Sequence, residues 1–329
     1  MTDKAQLIHW ATGWVPDHTA DRTAVTLVVD PDDVAAVLAG SLGHGRTVFA
    51  PSGAQLAGPS LDGRLAEPGD EACLDGTTYI EVQAYAMAAF LAVPGPTLLR
   101  VHDADDLRSF IADADAAERD GTFAEHLLNP LFELADQNAL GLHSPHGGPT
   151  HRLYVEGGQV STSPGGAVLG TVDDTLEQVE LRWQDAGAYE ALSRRLTPGA
   201  LAGELAERPW MDRYLRAVRL LRYVAAMGLE ATAVSGFGDG RAKDLAPGSI
   251  ISVTCTDRVL AHDPLTGRTF TVNAETAGVL EALTSAPSAE DLEDVLPSAL
   301  ITGGLELLEH HRLVPFADAR AAQLVGSAA

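Results

Sequence analysis

This 329-residue chain has little positive charge: 22 Lys+Arg stand against 46 Asp+Glu, a net of −24 at neutral pH. Only two lysines occur, Lys4 and Lys243, so arginine carries nearly all the cationic charge. So acidic a chain is repelled by phosphate backbones and anionic lipid headgroups, which argues against nucleic-acid and membrane partners. Cysteine is equally sparse. Cys73 and Cys255 are too few for a disulfide framework and suit a reducing cytoplasm. No run of 18 apolar residues occurs, and the start, Met1-Thr2-Asp3-Lys4 leading to His9 and Trp10, has no apolar h-region, so neither a transmembrane helix nor a secretory signal is expected. Aromatic residues make up only 5%, yet the hydrophobic share of 46% is enough for a sizeable core. At roughly 100–200 residues per domain the length suggests two or three domains.

Motifs that place chemistry are missing as well. Gly165-Gly166-Ala-Val-Leu-Gly170 lacks the Gly-Lys-Ser/Thr ending of a phosphate loop, and Gly236-Phe-Gly-Asp-Gly240 lacks the spacing of a dinucleotide fingerprint; both read as turns. No Gly-x-Ser-x-Gly elbow appears, and Cys255 falls in an expected strand, where a small buried thiol is the default. His143-Ser-Pro-His146 with His151 is the densest histidine cluster, but Pro145 and Gly147-Gly148 make it a loop with no helix face to set ligand geometry. His310 and His311 are adjacent, so on a helix they point about 100° apart and do not ligate jointly. The reading therefore assigns no catalytic residue, no metal and no cofactor.

What is there is a succession of short elements. Residues 23–40 read as a strand and then a helix, with Asp30-Pro31-Asp32-Asp33 as its start signal and Val34, Val37 and Leu38 on one face. Residues 51–76 read as Pro/Gly-rich loop. Tyr79–Gln83 alternates like a strand edge or opens a helix through Met87 to Leu91, and Thr97–Val101 is a further strand. Asp103–Ala117 is a helix with Leu107, Phe110 and Ile111 on one face, and Phe123–Leu134 reads as helical with a break at Asn129-Pro130. Residues 1–150 thus form an α/β-like N-terminal domain. A middle region, 151–240, opens with a hairpin at Arg152–Val155 and Gln159–Thr162 around Gly157-Gly158, continues with a strand at Val179–Trp183, and is helical over 187–229. In its strongest helix Arg213, Arg216, Arg219 and Arg222 fall on one stripe. That stripe reads as a solvated face, a docking surface for an acidic partner, or a row paired with the chain's own carboxylates. Ser235–Gly248 reads as a linker.

The last stretch, 250–316, is the most informative. Ile250–Thr256 and Arg258–His262 are β runs, Asp263–Arg268 is a turn with Pro and Gly at turn positions, and Thr269–Asn273 alternates as a third strand. Asn273 caps a helix carrying Ala277, Val279, Leu280 and Leu283. A short acidic helix, Ala289–Leu296, follows Pro287-Ser288, and a last helix carrying Leu300, Ile301, Leu305, Leu307 and Leu308 runs from Pro297-Ser298 to His310-His311-Arg312. Leu313–Phe316 closes as a short strand or tail. The order is β-β-β-α-α-α, and the overall class is α+β.

This order resembles the winged-helix peptide-recognition element of pathways that modify ribosomally made peptides, of which the pyrroloquinoline quinone peptide chaperone is the familiar form. The matching residues are the strand-turn-strand, the run Val-Asn-Ala-Glu-Thr-Ala-Gly-Val-Leu-Glu-Ala-Leu, the short Ser-Ala-Glu-Asp-Leu helix and the ending Leu-Glu-His-His-Arg-Leu-Val, about a fifth of the chain. With its large N-terminal region the whole chain resembles the recognition proteins of daptide biosynthesis in actinobacteria, which assist enzymes that convert a C-terminal threonine into a diamine-ended terminus. The resemblance implies a non-catalytic protein that binds a precursor's leader peptide and presents it to modifying enzymes of the pathway, an oxidoreductase or decarboxylating enzyme among them. It places the leader between the third strand and the third helix: Arg268, Thr269, Phe270, Thr271 and Val272 on one side, Leu300, Ile301, Gly304, Leu307, Leu308 and His311 on the other. An exposed strand edge can accept a peptide as an added strand. Phe270 and Val272 are expected on the core side, Thr269 and Thr271 on the other, and part of the leucine set must be core. Two other readings remain: an enzyme whose active site lies in the N-terminal region with this element as substrate clamp, and a DNA-binding winged helix. The second is disfavoured because ten acids and three bases over 250–316 give a net of −7, the wrong sign for reading DNA.

Overall fold

The computed structural model describes residues 2–14, 24–54, 58–143, 147–186 and 188–326. In chain order the elements are α1 (Asp3–Thr12), β1 (Val25–Val28), α2 (Pro31–Ala39), β2 (Thr47–Phe49), β3 (Leu61–Gly63), β4 (Glu71–Leu74), β5 (Thr78–Ala84), β6 (Thr97–Arg100), α3 (Ala104–Asp120), α4 (Glu125–Leu128), β7 (Phe132–Leu134), β8 (Arg152–Glu156), β9 (Gln159–Ser161), β10 (Gly170–Thr171), α5 (Leu176–Ala186), α6 (Pro198–Ala206), α7 (Met211–Ala226), β11 (Ala231–Val234), β12 (Ile251–Cys255), β13 (Val259–Asp263), β14 (Arg268–Val272), α8 (Ala274–Ser285), α9 (Ser298–His310) and α10 (Ala317–Gly326). Helices and mixed sheets together make the class α+β.

The chain divides into two compact units. The first runs to Ile111 and resumes over Asn129–Leu205; the second takes Ala112–Leu128 and the chain from Ala206 onward. The first unit holds two five-stranded sheets, ordered β10-β9-β8-β1-β2 and β3-β4-β5-β6-β7. β1 is parallel to β2 and to β8, and β5, β6 and β7 are mutually parallel, while the hairpins β8–β9 and β3–β4 are antiparallel. α1 lays Leu7, Trp10 and Ala11 into a core shared with Leu27, Phe49, Ile80, Val82 and Leu98 from both sheets. Thr2 caps this helix by accepting from the Ala5 N–H, and Gly13 ends it in the left-handed region. A second core, from Val28, Val37, Leu42, Val155, Val160 and Val179, fills the side covered by α2 and α5.

Several expectations are corrected here. Residues 51–76 are not all loop, because β3 and β4 lie within them and pair as a hairpin. Residues 132–134 form strand β7 rather than continuing a helix; Pro130 ends the helical stretch, and Thr97 donates to the Leu131 carbonyl to start the pairing with β6. The strand expected at 179–183 is helix α5. Its apolar residues Leu176, Val179 and Trp183 recur at i, i+3 and i+7 and pack as one face on the core. The hairpin 152–161 completes the sheet of β1, so 151–205 belongs to the first unit and is no part of a separate middle domain.

In the second unit the sheet is antiparallel and ordered β11-β12-β13-β14. It therefore has one strand more than expected, β11, added beside β12. α8 and α9 pack on the sheet through Ile250, Ala261, Leu280, Leu283, Ile301 and Leu308. Asn273 caps α8, its side chain accepting from the Thr276 N–H at 2.7 Å, as the sequence indicates. The expected acidic helix shrinks to a single 3-10 turn at Glu290–Leu292; Leu313–Phe316 is a tail, and α10 follows it as a further helix. The stretch 235–248 is no loose linker. Phe237 is buried in an aromatic cluster with Phe123, Trp210 and Tyr214. Gly238 lets the backbone of Gly121 approach so closely that a Cβ there would lie 3.2 Å from the Gly121 nitrogen. Among the described residues no helix is long and apolar enough to cross a membrane.

Candidate functional site

Among the described residues β14 ends its sheet, so one side of its backbone faces no strand. Which groups face outward follows from the ladder. The Cys255 N–H donates to the Arg258 carbonyl at 2.8 Å, closing the β12–β13 hairpin as a hydrogen-bonded pair. Alternation then turns the backbone groups of Val259 away from β12 and toward β14, where it pairs with Val272. One step further, the N–H and C=O groups of Thr271 and Thr269 point to the open side. The opposite edge strand, β11, is interrupted by a register shift between Ala231 and Ala233, whereas β14 pairs with β13 over five residues without a break.

Side chains alternate as the sequence indicates. Phe270 and Val272 pack, partly buried, against the core under α8 and α9, and Thr271 is exposed. His262 reaches across the ladder to Thr269, Nδ1 to Oγ1, at 3.0 Å. Where β14 begins, Arg268 donates through Nη1 to the His311 carbonyl at 2.6 Å, its guanidinium lies 5.1 Å over the Phe270 ring, and Phe270 stacks obliquely on His311 at 4.6 Å between ring centres. Burial, with His310 and Arg268 nearby, holds the His311 imidazole below its ordinary pKa. That end of the β14–α9 space is therefore closed.

A separate hollow of about 280 Å³ opens between α8 and α9, lined by Glu275, Thr276 and Val279 on one helix and Ala299, Leu300, Gly303, Gly304 and Leu307 on the other. Gly304 is where the helices touch, since a Cβ there would sit 2.5 Å from Leu283 and 2.7 Å from Val279. Gly303, one residue earlier, has open space where a Cβ would be. Of the residues the sequence reading placed on α9, Leu300, Gly304 and Leu307 line this concavity, which is walled by α8 and not by β14, whereas His311 lies apart from it against Phe270 and Arg268 of β14. Ile301 and Leu308 do not. They are core, buried with Leu283 and Ile250, and drop out as groove residues. Sequence reasoning missed the α8 wall, although the cap Asn273 placed Glu275 and Thr276 in the helix's first turn directly after β14.

The arginine stripe on α7 is neither a solvated face nor a docking surface at its first two members. Arg213 is buried and donates to Glu281 Oε2 at 2.8 Å, to Ser235 and Ser249 hydroxyls and to the Ile250 carbonyl; burial lowers its pKa and Glu281 opposes that. Arg216 is buried against Asp212 and the Pro264 carbonyl, at 2.9 and 3.0 Å. Arg320 of α10 pairs with Asp263 in the same interior. The first unit has its own buried set, in which Arg100 and Arg152 share Asp136. Nearer the surface, Arg195 bridges Glu67 and His102.

The remaining candidates are quickly placed. Cys255 is buried in β12, with burial pushing its thiol up. Gly165 and Gly166 form a turn against Ser163. Within the His143–His151 cluster, His146 lies outside the described residues, and among the described residues no group of three or more His, Cys, Asp or Glu is set to hold a metal. Comparison with protein-family models, with curated proteins and with solved structures found no match to this chain.

Proposed function

We propose that this chain is a non-catalytic recognition protein that binds the leader of a ribosomally synthesised precursor peptide and presents it to modifying enzymes, as its resemblance to the daptide recognition proteins implies. The observation that carries this reading is the open, unbroken edge of β14; an apolar hollow between α8 and α9 in the same unit adds to it. Such an edge supplies main-chain hydrogen bonds to an extended segment, and a hollow beside it supplies side-chain selectivity. Fluorescence polarisation of the labelled leader from a neighbouring precursor gene, with the full chain, tests the reading. Thr271→Pro removes an outward donor of β14 while leaving the ladder to β13, so it should weaken binding at least tenfold in a chain whose circular dichroism is unchanged. A leader that the full chain does not bind at tens of micromolar overturns the proposal.

One observation favours a second reading, an enzyme with this element as substrate clamp. His102, Glu67 and Arg195 meet just beyond the carboxyl end of β6, the side on which parallel sheets hold their ligands. That reading predicts that His102→Ala abolishes modification of the peptide by the purified chain alone while leaving leader affinity intact.

A further inference from the structure

We infer that the segment this groove takes is cationic: an extended peptide with one large apolar side chain seated between α8 and α9 and an Arg or Lys beside it, against Glu275. The inference rests on the peptide-binding reading above and adds the chemistry of the ligand. The hollow of about 280 Å³ is lined by Val279, Leu300 and Leu307, with the buried Gly304 at the helix contact and open space at the exposed Gly303, dimensions suited to a single Leu, Met or Phe side chain. Its one charged lining residue is Glu275. Glu275 is exposed in the first turn of α8, where the helix dipole favours a carboxylate, and among the described residues no hydrogen bond or ion pair engages it.

The wider charge distribution points the same way. The buried arginines, Arg100, Arg152, Arg213, Arg216 and Arg320, are five, and the buried acids, Asp106, Asp136, Asp212, Asp263 and Glu281, are also five. Among the described residues the buried charges therefore cancel, and the excess of acid lies on the surface. Of the three arginines over 250–316, Arg258 pairs with Asp257 and Arg268 is held on the His311 carbonyl and the Phe270 ring, and the third, Arg312, follows His311 at the end of α9. A basic peptide is drawn to such a field, and the open end of the groove meets it with a carboxylate.

The test is a positional-scanning library of acetylated, amidated dodecapeptides selected on the immobilised full chain. The expected result is enrichment of Leu, Met or Phe at one position with Arg or Lys adjacent. For the best sequence, truncating the apolar residue to Ala should cost about 10- to 100-fold in affinity. Neutralising the base should cost about two- to fivefold, an effect that fades with added salt. Glu275→Gln and Glu275→Lys should abolish the preference for a base and leave the apolar preference. Gly303→Leu, which meets open space, should abolish the apolar preference, and Ala299→Phe from the exposed preceding turn is the second way to fill the same hollow. Enriched peptides with no cation preference, or a preference that survives both Glu275 variants, would sink this inference and leave peptide binding standing. A library from which nothing is enriched would overturn the peptide-binding reading itself.

Discussion

Sheet edges distinguish the two units. In the first, every edge strand among the described residues is short: β10 has two residues, and β2, β3 and β7 have three each. Short edges offer little backbone for another chain to pair with, one of the ordinary ways a protein avoids unwanted association. In the second, β11 is interrupted by its register shift, but β14 presents five unbroken residues with the outward groups of Thr269 and Thr271 exposed to pairing. Among the described residues five of the six sheet edges are thus short or interrupted, and β14 alone is continuous. The units agree in another respect. Each hides arginines in its interior against its own carboxylates.

The sharpest way to break the comparison is to isolate the groove. A fragment of residues 245–329 keeps β12–β14, α8, α9 and α10 but discards α7, and with it the Arg213 that pairs with Glu281 and binds the Ser249 and Ile250 backbone. It also discards β11, leaving β12 as a raw second edge. The expectation is a fragment without a cooperative thermal transition that aggregates on warming. A cooperative transition by circular dichroism would mean the groove is an autonomous domain.

Next in size is Asp136→Asn in the first unit. Asn tolerates the left-handed backbone at this position (φ 53°) but leaves Arg100 and Arg152 buried without their shared anion. Removing one partner from a buried ion cluster costs about 3–5 kcal/mol. Chemical denaturation should show that loss in one transition, while leader affinity of the folded variant is unchanged. A matching loss of affinity would show that the groove depends on the first unit. Glu281→Gln should cost less, about 1.5–3 kcal/mol, because Arg213 keeps its hydroxyl and carbonyl acceptors. A cost equal to that of Asp136→Asn would show that the neutral acceptors count for little.

These buried pairs also explain what the sequence did and did not reveal. The α8 cap, the β12–β14 ladder and the apolar order of α9 were legible because each is local: an Asn before a helix, alternation of period two, repetition of period 3.6. The arginine stripe was read as three possibilities because its resolution is not local. Arg213 finds Glu281 sixty-eight positions away, and nothing in the helix's own spacing names that partner. Residues 51–76 hid two strands of three and four residues between glycines with positive φ, too short for alternation to register. At 235–248 the glycines signalled flexibility, yet Gly238 is there for close backbone approach to Gly121, a tertiary demand with the same composition. The hollow was not legible: Leu300, Gly304 and Leu307 were set facing β14, whereas they line a hollow walled by α8, and without three-dimensional packing they could not be separated from the core residues Ile301 and Leu308.

The smallest expected effect concerns the closed end of the groove. Burial lowers the His311 pKa, and His310 and Arg268 add to it. Against an ordinary histidine value of about 6.5, the unfolded chain then binds the proton more readily than the folded one. The sign follows from linkage: stability is unaffected above the ordinary value and declines as the pH falls below it toward the lowered folded value, where the unfolded state holds more protons. Protonation also adds a cation beside Arg268, so affinity for a basic peptide should fall over the same window. A nuclear magnetic resonance titration of the His311 ring should find its midpoint below the ordinary range, and His310→Gln should raise it only part of the way, because burial is the larger cause. A full return to the ordinary value in that variant would make charge, not burial, the reason this end of the groove stays neutral.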